Sequence, residues 1–237
     1  MSFSTKHVFF DLDRTIWDFD KNSVVALKQI IEEEKILQLI KDFDSFYAVY
    51  KVENAKLWEA YGKGQISKED LRYARFENSL IKFAIQDKQI IKRFGDAYVQ
   101  LSPLQKHLIP GVSEAIRELK EIGFQLHIIT NGFREVQVVK LKNCGLDSFF
   151  DAVICSEEIG FNKPHPEIFH YALSRAMTKA ENSVMIGDDY HADIHGASQS
   201  GMKAIFFNPN GRNSYKYEHE IIHMKELVPK VISIFNS

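Results

Sequence analysis

Four aspartates lie within ten residues near the start of the chain, in the stretch FFDLDRTIWDFD at residues 9–20. The first two, Asp11 and Asp13, follow a hydrophobic run and are separated by one leucine. A carboxylate held beside phosphorus can attack it and form an aspartyl-phosphate. A second carboxylate nearby can give a proton to the leaving group and later take one from water. The pair therefore indicates phosphoryl transfer, provided that the chain turns sharply after Asp11.

Other reactive groups follow other hydrophobic runs or lie in a loop before a helix. They are Thr130, Asn131, Gly132, Lys163, Asp188, Asp189 and Asp193. Each alone is typical of a turn, a helix cap or solvated surface. Ligands of an open parallel sheet bind at the carboxyl ends of its strands, so the joint pattern predicts one shared site.

Several carboxylates that converge on one site raise each other's pKa, and a divalent cation relieves this repulsion. Asp11 and Asp188 would supply two hard oxygen ligands, which suits Mg2+ completed by water and substrate phosphate. The lack of a histidine or cysteine ligand set argues against zinc. The metal, Lys163 and the Thr130 hydroxyl would together cradle a transferring phosphoryl group.

The elements that position these residues follow an α/β pattern. Apolar runs that predict buried parallel strands occur at 7–13, 124–131, 152–157, 183–189 and 203–208. Helical patterns lie between them, and glycines at 123, 145 and 201 are placed to end helices. The expected fold is a doubly wound parallel sheet of Rossmann-like type. A polar loop at 208–220 precedes a last helix at 223–235, which Pro229 is expected to kink or shorten.

One region interrupts this alternation. Helical patterns at 22–35, 43–61, 67–85 and 87–101 predict an inserted helical bundle, and Ser67 with Asp70 resembles a capping box. We therefore predict an α/β core formed by 1–17 and 103–237, with a helical cap at 18–102. Asp18 and Asp20 belong to the hinge into the cap, where capping the first helix is their expected role.

Composition limits the partners of the chain. The formal net charge is -2, which gives no reason to expect nucleic acid polymers or an anionic membrane as a partner. The two cysteines, Cys144 and Cys155, are expected to be free thiols. The N-terminal segment lacks a signal-peptide pattern, and no run is long enough to span a bilayer, so a cytoplasmic location is expected. Either a monomer or a homodimer is compatible with the sequence.

Taken together, these residues resemble the haloacid dehalogenase superfamily, in its phosphatase branch with a helical C1 cap. Four motifs carry the resemblance along essentially the whole chain. They are D-x-D-x-T at 11–15, the threonine of IITNG, the lysine of NKPHPEIF and G-D-x-x-x-x-D at 187–193. The resemblance implies that Asp11 is the nucleophile and a metal ligand. It makes Asp13 the general acid and base, with its backbone carbonyl on the metal, and Asp188 a Mg2+ ligand.

The same resemblance assigns roles to the remaining motif residues. Thr130 would bind the phosphoryl group, helped by the backbone of Asn131, and Lys163 would neutralise charge. Asp193 would hold water or Lys163 close to the metal. Asp189, for which the family pattern gives no role, is expected to be a loop carboxylate or a neighbour of the metal ligands rather than a third ligand. Two departures from the family pattern are Arg14, where glycine is frequent, and Asp189, where serine or threonine is common. We expect Arg14 to lie on the surface.

Within the superfamily, DLDRTIWDFD, LWEAYGKGQISKEDLRYARF and TNG are similar to the pyrimidine 5'-nucleotidase branch. Trp17 is the preferred candidate to stack on a substrate base, because it lies where the core passes into the cap. For the cap aromatics, packing is the expected role. Arg72 and Arg75 are expected to be solvated or ion-paired, and His191 and His195 to lie on the surface or in a polar part of the core.

The predicted reaction is hydrolysis of a small phosphate ester, with a nucleoside 5'-monophosphate as the first candidate and a sugar or carboxylate phosphate as the alternative. A dehalogenase is disfavoured because Asp13 is present, and relatives with that activity lack this carboxylate. A phospho-accepting signalling module is disfavoured because receiver domains are roughly half this length and have no cap. An idle binding protein has no support, since all four motifs are intact.

Overall fold

The computed structural model describes residues 5–40, 42–211 and 215–236. Its strands are β1 (His7–Phe10), β2 (Gln125–Thr130), β3 (Ala152–Cys155), β4 (Ser183–Gly187), β5 (Lys203–Phe207) and β6 (Glu220–Ile221). They pair in parallel in the order β3-β2-β1-β4-β5-β6. The predicted doubly wound sheet is confirmed, and β1 lies between β2 and β4 inside it.

Helices cover both faces of the sheet. Val8 and Phe10 pack in one hydrophobic cluster with α5 (Val112–Ile122), α6 (Arg134–Asn143) and α9 (Leu227–Asn236). Phe9, between them, packs in a second cluster with α7 (Pro166–Arg175) and α8 (Gly196–Gln199), which follows a π-helical turn. Because successive strand residues point to opposite faces, burial on both faces accounts for the near-continuous apolar runs.

The chain divides into two compact units, 1–19 with 106–237 and 20–105. The second, which we call the helical unit, contains four helices: α1 (Phe19–Glu33, whose first residue falls in the other unit), α2 (Phe43–Gly62), α3 (Lys68–Leu80) and α4 (Lys88–Leu101). Aromatic rings fill its core, with Phe46, Tyr50, Phe76 and Phe94 fully buried.

The capping box at α3 is confirmed. Ser67 Oγ accepts from the Asp70 amide at 3.0 Å, and the Ser67 amide donates to the Asp70 carboxylate at 2.9 Å. At the start of α1, Asp18 directly precedes the helix and Asp20 lies in its first turn. Arg72 forms an ion pair with Asp96 at 2.8 Å, as expected of a helical arginine. Arg75 differs from the expectation, because it is buried in the helical unit and donates to Asn54 Oδ1 at 3.3 Å.

One detail at the end of the chain differs from expectation. The segment predicted as a polar loop at 208–220 ends in β6, a two-residue strand in which Glu220 pairs with Phe206. The last helix begins at Leu227 after a 3-10 turn, so it is shorter than the pattern at 223–235, as expected, and Pro229 lies in its first turn. The glycine helix ends are confirmed, for example at Gly123, whose φ of 102° is left-handed. No helix in the described ranges has the length and apolar character needed to cross a membrane.

Candidate active site

The first strand leads into a tight turn that carries both aspartates. The Asp11 amide donates to the Ile186 carbonyl at 2.8 Å, so Asp11 still belongs to the ladder between β1 and β4. The amides of Ile16 and Trp17 then both donate back to the Leu12 carbonyl. The chain therefore turns sharply directly after Asp11, as the predicted chemistry requires.

Arg14 occupies a left-handed position in this turn, with a φ of 69°. Glycine adopts this conformation without steric cost, which accounts for its frequency at this position in the family pattern. The Arg14 side chain is exposed, as predicted, and its guanidinium lies 4.3 Å from the ring centroid of Phe19.

A single buried lysine joins the ends of β1, β2 and β4. Lys163 Nζ donates to Asp11 Oδ1 at 2.6 Å, to Asp193 Oδ1 at 2.7 Å and to the Ile129 carbonyl at 2.8 Å. These three bonds satisfy all three ammonium protons. The Asn131 side chain fixes the lysine backbone, accepting from the Lys163 amide at 2.8 Å and donating to its carbonyl at 3.1 Å.

Three carboxylates gather around this lysine. Oxygens of Asp11, Asp188 and Asp193 all lie within 4.8 Å of one another. Asp193 uses one oxygen for Lys163 and the other for the amide of Asp189, at 3.1 Å. Asp188 Oδ1 accepts from the Thr15 hydroxyl at 3.2 Å. Each Asp193 oxygen therefore accepts a hydrogen bond from a protein donor, and one of these donors is Lys163.

Burial dominates the electrostatics of the cluster. It raises the pKa of Asp11 to about 7, against the opposing charge of Lys163. Burial, followed by the charges of Asp11 and Asp193, raises the pKa of Asp188 well above its ordinary value. Burial also raises the pKa of Asp193. Burial lowers the pKa of Lys163, but the charges of Asp11 and Asp193 outweigh it and raise the pKa above the ordinary value.

This donor set fits a hard divalent cation. Asp11 and Asp188 each use one oxygen for a contact within the described residues, which leaves the other oxygen of each carboxylate for a ligand. A divalent cation beside them would favour their charged forms and relieve the repulsion that raises their pKa values. Oxygen-only donors with room for water match the coordination preferred by Mg2+.

Asp13 meets a second buried lysine. Lys140 Nζ lies 2.6 Å from Asp13 Oδ1 and 2.9 Å from Oδ2, and Gln137 Nε2 donates to Oδ2 at 2.8 Å. Both donors belong to α6 and are almost fully buried, at 4% and 1% exposure for Lys140 and Gln137. The two aspartates of the turn are thus each bound by a different ammonium group.

Thr130 is oriented by two donors. Its Oγ1 accepts from the Gly132 amide at 3.0 Å and from Gln137 Nε2 at 2.9 Å. Two incoming hydrogen bonds occupy both lone pairs of a hydroxyl oxygen, so the Thr130 proton is available to a further acceptor. That is the orientation needed to donate to an anion at the end of β2.

The sequence predictions did not include Gln137 and Lys140. They occupy one face of α6 with Leu141 and Cys144, at the i, i+3, i+4 and i+7 spacing of a buried stripe. A lysine and a glutamine in such a stripe, on the helix directly after Thr130, were the available signal. Because lysines are rarely buried, such a stripe does not by itself predict a buried lysine.

The structure corrects the prediction for Trp17. Its indole is 1% exposed and belongs to the hydrophobic cluster shared by β1 and α5. Lys140 Nζ lies 4.2 Å from the ring centroid. A ring enclosed in this way is not available to stack on a substrate base, so Trp17 is a core residue that supports Lys140.

The remaining polar candidates lie at the start of the π-helical turn. Asp189 is exposed, and its Oδ1 accepts from the amides of His191 and Ala192, both at 2.9 Å. His191 and His195 are exposed and stack on each other with centroids 5.6 Å apart, which confirms the surface prediction.

The thiols of Cys144 and Cys155 are both free, and burial raises the pKa of Cys155 to about 12.

The fold and site define an α/β hydrolytic enzyme. The sequence matches the family of haloacid dehalogenase-like hydrolases over residues 8–207. It is 33% identical over 210 residues to pyrimidine 5'-nucleotidase YjjG of Escherichia coli, covering 86% of this chain and 87% of that protein. It is 31% identical over 204 residues to ribulose-1,5-bisphosphate 5-phosphatase of Halopiger xanaduensis, covering 86% and 84%.

A solved structure gives the same result. The magnesium-bound crystal structure of the HAD-hydrolase YfnB from Bacillus subtilis superposes with a TM-score of 0.84 at 29% identity, covering 99% of this chain and 100% of that one. The chain therefore belongs to the haloacid dehalogenase-like hydrolase family, and it is an enzyme whose relatives include phosphatases and a 5'-nucleotidase.

Proposed function

We propose that the protein is a Mg2+-dependent phosphomonoester hydrolase that works through an aspartyl-phosphate on Asp11. One observation carries the proposal. Asp11 is bound by Lys163 beside Asp188, while Asp13 on the same turn is bound by Lys140. A nucleophile and a proton-transfer group with separate partners are what two-step phosphoryl transfer requires.

In the first step, a carboxylate oxygen of Asp11 attacks phosphorus while the bond to the ester oxygen breaks. Asp13 gives a proton to the departing alkoxide, so that a neutral alcohol leaves. In the second step, Asp13 takes a proton from water, the water oxygen attacks phosphorus, and the bond to Asp11 breaks to release phosphate. Thr130 donates to a phosphoryl oxygen, and Lys163 offsets the charge that collects near Asp11.

Mg2+ would be held by the carboxylates of Asp11 and Asp188 and by the main-chain carbonyl of Asp13, with Asp193 and Asp189 nearby. It would supply positive charge beside the phosphoryl oxygens. The division into a catalytic core at 1–17 and 103–237 and a cap at 18–102 is part of the same proposal.

A nucleoside 5'-monophosphate is the leading substrate class, because YjjG is a pyrimidine 5'-nucleotidase. Sugar or carboxylate phosphates form the second class, supported by the similarity to a ribulose-1,5-bisphosphate 5-phosphatase. A 2-haloacid dehalogenase is disfavoured because Asp13 is present and bound by Lys140 and Gln137. A phospho-accepting signalling role is disfavoured because a proton-transfer group at Asp13 favours hydrolysis of an aspartyl-phosphate over its accumulation.

The test is phosphate release from a panel of nucleotides, sugar phosphates and p-nitrophenyl phosphate, with Mg2+ and with EDTA. The wild type is expected to be active only with the metal. Asp11→Asn is expected to lose activity, and Asp13→Asn to retain phosphate binding with slower turnover. Asp147→Asn removes an exposed carboxyl elsewhere in the same unit and serves as the control. Activity in EDTA, or full activity of Asp11→Asn, would contradict the proposal.

A further inference from the structure

Lys140 is a buried cation with a narrow set of partners. Its ammonium contacts both oxygens of Asp13 at 2.6 and 2.9 Å and lies 4.2 Å from the centre of the Trp17 ring. Its exposure is 4%. The Lys140 ammonium therefore lies between the Trp17 ring and the Asp13 carboxylate, and these contacts fix its position.

Gln137 lies one helical turn before Lys140 and connects the same carboxylate to a second group. Its Nε2 donates to Asp13 Oδ2 at 2.8 Å and to Thr130 Oγ1 at 2.9 Å. Gly132 leaves the room for this amide, since a Cβ at that position would lie 1.8 Å from Gln137 Nε2. Asp13, Thr130 and the end of β2 are thus held by one side chain.

Stability does not account for this arrangement. Removing an ammonium group from water costs several kcal/mol, and an apolar side chain of similar size is often as good or better for folding. A lysine and a glutamine that both end on Asp13 are explained if the position of that carboxylate matters.

We propose that Gln137 and Lys140 are positioning residues that hold the Asp13 carboxylate on the leaving-group side of the site, separate from Lys163, and align it with Thr130. The inference rests on the proposed function, because it assigns the pair to the two proton transfers of that reaction. Lys140 contacts Asp13 and takes no part in nucleophilic attack by Asp11. Loss of Lys140 therefore slows proton transfer and leaves attack by Asp11 largely unchanged, whereas loss of Gln137 also removes a donor from Thr130.

Comparing kcat with kcat/KM for two kinds of ester separates attack by Asp11 from the steps that need a proton transfer. The nitrophenolate of p-nitrophenyl phosphate leaves without a proton, so kcat/KM for this ester reports attack by Asp11 alone. Hydrolysis of the aspartyl-phosphate still needs Asp13, so kcat reports the second step. For an alkyl phosphate such as glycerol phosphate, both steps need a proton transfer. General acid and base groups typically contribute 100-fold or more to such steps.

For Lys140→Met we expect kcat with p-nitrophenyl phosphate to fall by about 10- to 100-fold while kcat/KM changes less than about 3-fold. A burst of one nitrophenolate per enzyme is expected before slow turnover. With the alkyl phosphate, kcat and kcat/KM both fall. Gln137→Met removes no charge and is expected to lower both kcat and kcat/KM with p-nitrophenyl phosphate, because Asp13 and Thr130 each lose a donor. Lys142→Met, an exposed lysine on the same helix, is the control.

Circular dichroism and thermal melting establish that each variant is folded, and Lys140→Gln replaces Lys140→Met if the latter does not fold. A folded Lys140 variant that loses kcat and kcat/KM equally with both esters and shows no burst would overturn the inference, as would unchanged kinetics. An inactive wild type would instead overturn the proposed function. The two failures are therefore distinguishable.

Discussion

Ionisable groups are buried at both ends of the central strands β1 and β2. They form an ion pair at the carboxyl end and a neutral pair at the amino end. At the carboxyl end, Asp11 and Lys163 lie 2.6 Å apart. At the amino end, His7 Nδ1 and His127 Nε2 lie 3.0 Å apart, in rings stacked at 5.2 Å. Burial, helped by His7, lowers the pKa of His127 to about 4, so its ring is neutral near pH 7.

The difference shows what decides whether a buried group keeps its charge. Burial disfavours the charged form at both ends. At the carboxyl end, the charge of Lys163 opposes this effect on Asp11. A divalent cation beside the carboxylates would oppose it further, as the proposed phosphoryl transfer requires. At the amino end, Asp151 raises the pKa of His127 slightly, while Lys120 lowers it further. The histidine pair therefore behaves as a neutral part of the core, stacked on Phe9.

Lys163→Met is expected to have the largest effect on activity and stability at the carboxyl end of the strands. It would leave Asp11 and Asp193 buried without their shared cation. We expect phosphatase activity to be lost and the free energy of unfolding without metal to fall by about 3–5 kcal/mol. Urea denaturation measures this loss. Lys142→Met is the matched control, and an equally small loss in both variants would refute the account of the lysine.

The amino end is tested by the pH dependence of stability. The folded-state pKa of His127 is about 4, below the ordinary value of 6.5. Its stabilisation is therefore complete above pH 6.5 and is lost as the pH falls toward 4, by about 3 kcal/mol in all. His127→Phe is expected to flatten the dependence of the unfolding free energy over this range. An unchanged slope in this variant would contradict the assignment.

Mg2+ distinguishes the two ends, because we expect it to act on the carboxyl end alone. At a free concentration 100 times the Kd, it should raise the free energy of unfolding by about 2.7 kcal/mol. Asp188→Asn should lose most of this gain. Asp189→Asn should keep it, since that exposed side chain binds the amides of the next turn. Thermal melting with and without Mg2+ measures the gain, and equal gains in both variants would exclude Asp188 as a ligand.

Gly187→Ala perturbs the carboxyl end more gently. A Cβ at Gly187 would lie 2.1 Å from Asp193 Oδ2, so Asp193 must move away from Lys163. We expect a loss of about 1–3 kcal/mol in the free energy of unfolding, as for other forms of overpacking. In a double-mutant cycle with Asp193→Ala, the stability loss of the double variant should be smaller than the sum of the losses of the two single variants. Full additivity would mean that the crowding does not act through Asp193.

The sequence predicted those features that depend on short-range patterns. Five strands, the capping box of Ser67 and the helix end at Gly123 follow from apolar runs and local backbone chemistry. Because the carboxyl ends of parallel strands meet at one edge of a sheet, Asp11, Lys163 and Asp188 were predicted to lie close together. In the structure, Asp11 contacts Lys163 and lies near Asp188.

Features that depend on tertiary packing were missed. β6 is a two-residue strand in a polar segment, so it has no periodicity to detect. Trp17 is an aromatic residue near the site, and only its neighbours reveal that it is enclosed. The partner of Asp13 was not identified, because a lysine on α6 becomes a buried donor only when that helix packs against the turn.

The hydrogen bond from the Asp11 amide to Ile186 has a consequence for solvent exchange. It places the backbone of Asp11, the proposed nucleophile, inside the ladder between two buried strands. Amides in such positions exchange with solvent mainly through global unfolding. Deuterium uptake at Asp11 should therefore report the global stability of this α/β unit. The carboxylate proposed to attack phosphorus then belongs to a residue whose peptide group is among the slowest to exchange.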